Sequence, residues 1–386
     1  MKKNEKNEFK MKCFYWSPFL TPIATPRAVI NSAYSLQKFS KKNYCSIINF
    51  FGEFNVYKKE LENNQIQTVN LFGNFIINNL PKYGKIKSRF SFILIFILSF
   101  FPLKNLIKKE EPDFLIVQLI TSLPMILLLF FKFRTKFILR ISGLPKLNIF
   151  RKTLWKIALK NFHLVTCPTE STYNYIKSLN IIEPEKVKLL YDPVIEVSKI
   201  KKKIKEKNNF EFKNYFLAAG RLTKQKNFIF LCKAFQKVLV KYPDYKLLIA
   251  GEGEDGNKIK NYIIKHNLEK NIFLINYVDN IFPLIKDAEA FILSSLWEDP
   301  GFVIIEAAFC RKIVFSSNCL TGPREIIKND HNGFLFESNN IESFLQNFDK
   351  LIKKKKDKQI LLNNLKYIKK FTLFNHYRAL KELLII

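Results

Sequence analysis

Two runs of alternating extended and helical segments, parted by a lysine-rich stretch, limit what this chain can fold into. In the first run Lys12–Trp16, Ser46–Phe50, Thr68–Leu71, Asp113–Gln118, Phe137–Ile141, Leu164–Cys167 and Val187–Tyr191 read as strands. Ala28–Phe39, Phe90–Lys109, Leu123–Lys132, Lys152–Asn161 and Thr169–Leu179 read as helices, the last capped by Thr169 or Ser171. In the second run Phe216–Ala219, Lys246–Ala250, Ile272–Ile275, Ala290–Ser294 and Lys312–Phe315 are expected strands. Phe228–Val240, Asn257–His266, Ile281–Asp287 and Pro323–Lys328 are the expected helices between them. Strands that alternate with helices predict an α/β fold with parallel sheets. At 386 residues and 48% hydrophobic, the chain suits two domains of roughly 150–200 residues each. The expected division is a Rossmann-like domain over 1–195, a solvated Lys/Asn-rich linker over 196–213, a second Rossmann-like domain over 214–370, and a closing helix over 371–386 that packs back toward the first domain.

Charge narrows the partners. The net charge is +31, carried by 55 Lys and nine Arg. Residues 1–190 hold 30 Lys and Arg against 11 Asp and Glu, and residues 191–386 hold 34 against 22. The first half is the more basic, which fits attraction to an anionic membrane surface. Nucleic acid is not an expected partner, because the lysines are diffuse and no recognition motif accompanies them. Six scattered cysteines without a C-x-x-C pair read as reduced, buried thiols of a cytoplasmic protein. The charged N-terminus leads into no long apolar segment, so no signal peptide is expected. The most apolar run, Phe90–Phe101, is shorter than a spanning helix needs. It reads as a buried core helix, or as an in-plane helix touching lipid, since Lys104, Lys108 and Lys109 follow.

The residues that carry chemistry cluster in the second run. Ligands in such sheets bind beyond the carboxyl ends of strands, at helix N-termini. Glu298 and Glu306 flank the turn Pro300-Gly301, which opens an apolar helix. Such a turn presents unpaired backbone N–H groups at the positive end of a helix dipole, where phosphate can sit. The carboxylates beside it can accept hydrogen bonds from sugar hydroxyls. Arg221 and Lys226 stand five apart after a strand and can clamp a diphosphate from two sides. No His cluster, metal-ligand spacing or Asp-x-Asp occurs, so neither a metal nor a cofactor is expected.

Taken in order, Gly220-Arg221-Leu222 with Lys226, Gly251-Glu252-Gly253, Glu298-x7-Glu306 with Pro300-Gly301-Phe302, Gly322-Pro323-x-Glu325-Ile326 and Asn332-Gly333-Phe334-Leu335 resemble glycosyltransferase family 4. These are the "group 1", retaining transferases of GT-B fold. The resemblance covers about 215–337 closely. Over 110–194 it is looser, through Pro112-Asp113, Arg140-x-Ser142-Gly143 and Tyr191-Asp192-Pro193. It implies two Rossmann-like domains facing across a cleft and a nucleotide-diphospho-sugar as donor. Arg221 and Lys226 would bind the donor diphosphate, and the amides of Gly301, Phe302 and Val303 the distal phosphate. Glu298 would contact the donor sugar and Glu306 the ribose, while Gly220, Tyr277 and Val278 complete the donor pocket.

Two departures stand on the acceptor side. The loop Ser17–Arg27 has no glycine where many members carry Gly-Gly, and Arg27 is its candidate charge. Gln118 occupies the place where many members carry a His, and an amide cannot act as a base. The implied function is retaining sugar transfer to a glycan or lipid-linked acceptor in surface polysaccharide synthesis, peripheral on the inner face of the membrane. The competing readings are a catalytically degenerate nucleotide-sugar-binding module and a basic nucleic-acid-binding protein.

Overall fold

A computed structural model describes residues 11–21, 24–40, 42–81, 85–141, 143–208 and 210–385. The first ten residues of the charged N-terminus lie outside the described residues. So do Pro22 and Ile23 of the first loop and Ser142 of the Arg140 motif. The chain divides into two compact units, one running to Pro193 and resuming at Leu373, the other Val194–Thr372.

The first unit is a seven-stranded parallel sheet. Its strands are β1 Lys12–Trp16, β2 Tyr44–Asn49, β3 Gln67–Asn70, β4 Phe114–Val117, β5 Lys136–Arg140, β6 Leu164–Cys167 and β7 Val187–Leu189, ordered β3-β2-β1-β4-β5-β6-β7. Its helices are α1 Ala24–Phe39, α2 Lys58–Asn63, α3 Phe75–Asn79, α4 Lys85–Glu110, α5 Ser122–Phe130, α6 Ile149–Leu159 and α7 Glu170–Ser178. Side chains alternate across the pleat and feed two cores. Phe14, Trp16, Leu115, Val117, Phe137 and Leu139 join Ile95, Leu103 and Ile107 of α4 on one face. Cys13, Tyr15, Phe114, Ile116 and Ile138 pack on the other, with Val29, Ala33 and Leu36 of α1. All of β4 is buried, as expected for a central parallel strand covered on both sides. Thr169 is the cap of α7, its Oγ1 accepting from Thr172 N at 3.2 Å.

The second unit has a six-stranded parallel sheet, β8 Tyr215–Ala219, β9 Lys246–Ala250, β10 Ile272–Ile275, β11 Phe291–Leu293, β12 Val314–Ser317 and β13 Phe334–Phe336, ordered β10-β9-β8-β11-β12-β13. Its helices are α8 Val197–Lys203, α9 Phe228–Lys241, α10 Gly256–Lys265, α11 Phe282–Asp287, α12 Phe302–Phe309, α13 Pro323–Ile326, α14 Ile341–Lys354 and α15 Lys358–Ile368. Phe216, Phe235, Phe315, Phe344 and Phe348 meet in its core. Each such buried ring contributes about 1.5–3 kcal/mol of transfer free energy. The final helix, α16 Leu373–Ile385, returns to the first unit and packs on α1.

Three expectations need correction. The stretch 196–213 is not a free linker. It begins with α8, buries Ile200, and sets Phe212 against Phe273 at a tilt, with ring centroids 4.7 Å apart. Its lysines face solvent while the apolar residues between them hold it to the second unit. The run Phe90–Phe101 is part of a helix of 26 residues, α4, and that helix is not buried all round. Phe90, Ile93, Ile97 and Phe101 are exposed while Ile95, Leu103 and Ile107 are buried. Finally, 341–368 forms two helices the sequence reading left unassigned. Their signals are the Asn340 and Asp357 caps and the spacing Phe344, Phe348, Leu351.

Candidate functional site

In the second sheet the chain winds outward from β8 through β9 to β10, then returns to the other side of β8 with β11. The loops leaving β8 and β11 therefore diverge at a topological switch point, where such sheets open a crevice for ligands. Backbone and hydroxyl contacts join these loops. Leu296 N donates to Gln225 O at 2.8 Å, Gln225 Nε2 to Trp297 O at 2.8 Å, and Ser294 Oγ to Lys226 O at 2.7 Å. The loop after β12 adds Ser317 Oγ, donating to Ser295 O at 2.6 Å, and Thr321 Oγ1, donating to Glu298 O.

This framework holds a buried ion pair. Lys226 Nζ lies 2.5 Å from Glu298 Oε1, with the side chains 14% and 6% exposed. Ser295 Oγ donates to the same carboxylate oxygen at 2.6 Å. Burying two charges costs desolvation energy, which mutual attraction and the added hydrogen bond offset. An ammonium has three donors, and the carboxylate takes one. Beside the pair, Gly301 starts α12 with φ 92°, and no side chain caps this helix end. The amides that open α12 thus stand next to the Lys226–Glu298 pair.

Close packing of the loops explains motif glycines. A Cβ on Gly322, at φ 76°, would sit 2.0 Å from Pro300 O. A Cβ on Gly251 would sit 2.0 Å from Gly220 O. Neither contact is possible for a larger residue without moving the backbone.

The expected site residues distribute unevenly. Lys226, Glu298, Gly301 and the start of α12 at Phe302 and Val303 form one group. Glu306 is half-buried further along α12. Arg221 follows Gly220 at the end of β8 and is exposed. Tyr277, after β10, is 70% exposed, its N 3.4 Å from Glu252 Oε1, and Val278 is half-buried. Gln225 was not expected at the site, and Ser294, Ser295, Ser317 and Thr321 lie in the strand-end segments 294–301 and 316–322, expected near a ligand but without individual roles. The pairs Ser294-Ser295 and Ser316-Ser317, hydroxyls at the ends of buried strands, were the available signal. Among the described residues no three His, Cys, Asp or Glu side chains group to hold a metal ion.

The first sheet has its switch point at the same place in the winding, between β1 and β4. Gln118 follows β4, its N donating to Trp16 O at 2.9 Å, and its side chain is buried with Oε1 lacking a partner. Arg27, expected as an acceptor-side charge, is engaged elsewhere. Its Nη1 lies 2.6 Å from both Glu60 carboxylate oxygens, and its guanidinium covers the Tyr57 ring. The neighbouring carboxylate neutralises it.

Arg140 and Asp192, from two of the looser motif segments, form a buried two-point pair. Nearby, His376 Nδ1 lies 2.7 Å from Tyr191 O and Nε2 lies 2.9 Å from Ser32 Oγ. A carbonyl only accepts, so Nδ1 carries the proton, Nε2 accepts from Ser32, and Ser32 accepts from Tyr15 OH at 3.0 Å. Burial pulls the His376 pKa down to about 4, keeping the ring neutral. These groups fasten α16 to α1 and to the chain after β7.

Residues 199–367 match the family described as glycosyl transferases group 1. That match lies within the second unit and covers less than half of the chain. An uncharacterized glycosyltransferase of Methanocaldococcus jannaschii is 32% identical over 243 residues, 58% of this chain and 60% of that relative. In two other curated relatives the match spans only 38% and 40% of their own length. An α-1,4-N-acetyl-D-galactosaminyltransferase of Campylobacter jejuni, named for an acceptor glycan on PP-undecaprenol, is 26% identical over 92% of this chain and 93% of its own. The fold of the chain is similar to that of a Rickettsia africae glycosyltransferase, with TM-score 0.74 at 19% identity over 97% of this chain and 98% of that one. Anabaena HepE, solved with UDP, gives 0.70 at 16% over 97% and 100%. The architecture is therefore α/β and GT-B.

Proposed function

We propose that this protein transfers a sugar from a nucleotide-diphospho-sugar to a lipid-linked glycan, with retention at the anomeric carbon, on the cytoplasmic side of the membrane. The observation that carries this reading is the buried Lys226–Glu298 pair beside the uncapped start of α12, at the switch point of the second sheet. In the reaction the bond between the anomeric carbon and the β-phosphate oxygen breaks, and the nucleoside diphosphate leaves with the electron pair. The acceptor oxygen bonds to the same face of that carbon, and its proton passes to the departing phosphate oxygen. No side chain needs to act as a base, which suits a Gln at 118.

Charge develops on the diphosphate, so Arg221, Lys226 and the amides of Gly301, Phe302 and Val303 stabilise the transition state. Glu298 orders Lys226 and accepts from hydroxyls of the donor sugar. Glu306 reads the ribose, and Gly220, Tyr277 and Val278 border the nucleotide. Neither metal nor cofactor takes part. Support for a uridine donor comes from the HepE complex, and for a lipid-linked acceptor from the Campylobacter relative's name. Thermal shift against UDP-, GDP- and ADP-sugars tests the donor, because a ligand of the folded state raises its melting temperature. No stabilisation by any of them would overturn the reading. The unpartnered Gln118 Oε1 and the neutralised Arg27 favour a second reading, a binding module without turnover. Stabilisation by a nucleotide-sugar with neither hydrolysis nor transfer would select it.

A further inference from the structure

We propose that the outer side of the α4–α5–α6 layer is a docking surface for an anionic lipid bilayer, with α4 lying in the headgroup plane. The inference rests on this surface and not on the sugar-transfer reading. The three helices are neighbours on one face of the first sheet. On α4, Phe90, Ile93, Ile97 and Phe101 recur every three or four residues, all 57% exposed or more. At 3.6 residues per turn, Lys104 and Lys108 continue the same stripe. Phe130, ending α5, is 74% exposed, and α6 shows Ile149, Phe150, Leu154 and Ile157.

Cations frame the patch. Residues 85–160 hold 15 Lys and Arg against three acidic residues, Glu110, Glu111 and Asp113. Glu110 is paired with Lys12 and Glu111 with Arg134. Lys104 Nζ lies 5.3 Å from the Phe101 ring and 5.1 Å from the Phe131 ring. Lys108 Nζ lies 5.8 Å from Phe131. Aromatic bodies beside ammonium groups suit the boundary between acyl chains and anionic headgroups. A groove lined by Phe50, Val69, Leu71, Phe101 and Leu106 extends the apolar surface.

Chance exposure does not account for the patch. In the second unit the exposed large apolar residues Val197, Val240, Ile264, Tyr277, Trp297, Leu320 and Leu362 lie on separate helices and loops, which is ordinary for a soluble surface. Nor does spanning account for it. Ser88–Glu110 is long and apolar enough to cross a membrane, but Ile95, Leu103 and Ile107 are fixed in the core of the first unit. Crossing would uncover that face of the sheet.

The test is sedimentation of the full chain with phosphatidylcholine vesicles, with and without phosphatidylglycerol. Binding to the anionic vesicles at low salt is expected, with release at high salt. Ile97→Glu with Phe101→Glu should weaken it on the order of tenfold or more. Ile149→Glu with Phe150→Glu should weaken it too, and Val240→Glu should leave it unchanged. Lys104→Gln with Lys108→Gln should lose about tenfold on anionic vesicles. Equal binding by both double-glutamate variants and the native chain would overturn the proposal. So would equal binding to neutral vesicles, absence of binding, or retention in the bilayer through alkaline carbonate, which would mean a spanning helix. Thermal shift with UDP on each variant reports folding and donor binding separately, so loss of the surface and loss of the function are distinguishable.

Discussion

The two sheets share one winding scheme, with a switch point beside their first strand, yet they furnish it differently. The second sheet sets a buried Lys–Glu pair and an open helix start there. The first sets a neutral amide there, Gln118, and the cation expected for it, Arg27, pairs with Glu60. On the proposed reading, fixed charge belongs where charge develops, on the leaving diphosphate. The other switch point can be neutral if its partner is a hydroxylated acceptor. The same topology thus provides two crevices, and side-chain electrostatics distinguish them.

The sharpest way to break this comparison is to remove the pair. Glu298→Gln should lower turnover by about 100- to 1,000-fold in a transfer assay, while Gln118→Ala should change it by less than roughly tenfold. Comparable losses in both would abolish the distinction. Next in size is Arg140→Met, which leaves Asp192 buried without its partner and should cost about 3–5 kcal/mol in denaturant unfolding of the first unit. UDP binding, assigned to the second unit, should persist at temperatures where the variant stays folded.

Two buried groups of the first unit should give opposing pH slopes. His376 has its pKa lowered from 6.5 to about 4, first by burial. Its contribution is present above pH 6.5 and is lost as pH falls toward 4, on the order of 3 kcal/mol. Glu53 has its carboxyl raised from 4.5 to about 7, again first by burial. Its contribution is present below pH 4.5 and is lost as pH rises through 7. Glu53→Gln should therefore raise the melting temperature at pH 8, and His376→Gln should flatten the loss between pH 6.5 and 4. Melting curves across pH for each variant check both signs. The smallest effect belongs to Arg27→Ala, which breaks a part-exposed pair and should cost about 1 kcal/mol, with turnover nearly unchanged.

Much of this was legible in the chain. Central strands such as β4 and β8 declare themselves as short apolar runs, because both their faces are covered. The motifs after β8, β9, β11 and β12 were legible as strand-end segments, and the strand order puts two of them at the second switch point. Other features were not legible. Lys226 and Glu298 are 72 residues apart, and Arg140 and Asp192 are 52 apart. Nothing local says that either pair meets. The lysines of 196–213 suggested a free linker because charge pattern reports solvation and not the sparse anchors Ile200 and Phe212. Likewise the apolar run at 90–101 gave no sign of which face would lack a partner.

By itself the sequence determined the two parallel sheets, through strand and helix periodicity, and a resemblance to group 1 glycosyltransferases, through glycines and charges in fixed order. Only the tertiary structure decided which charges are neutralised internally, as at Arg27 and Arg140, and which helix face stays uncovered, as on α4. Periodicity and turn chemistry are local properties that neighbouring residues carry. Ion pairing and burial depend on residues brought together from distant parts of the chain, which exist as neighbours only after folding.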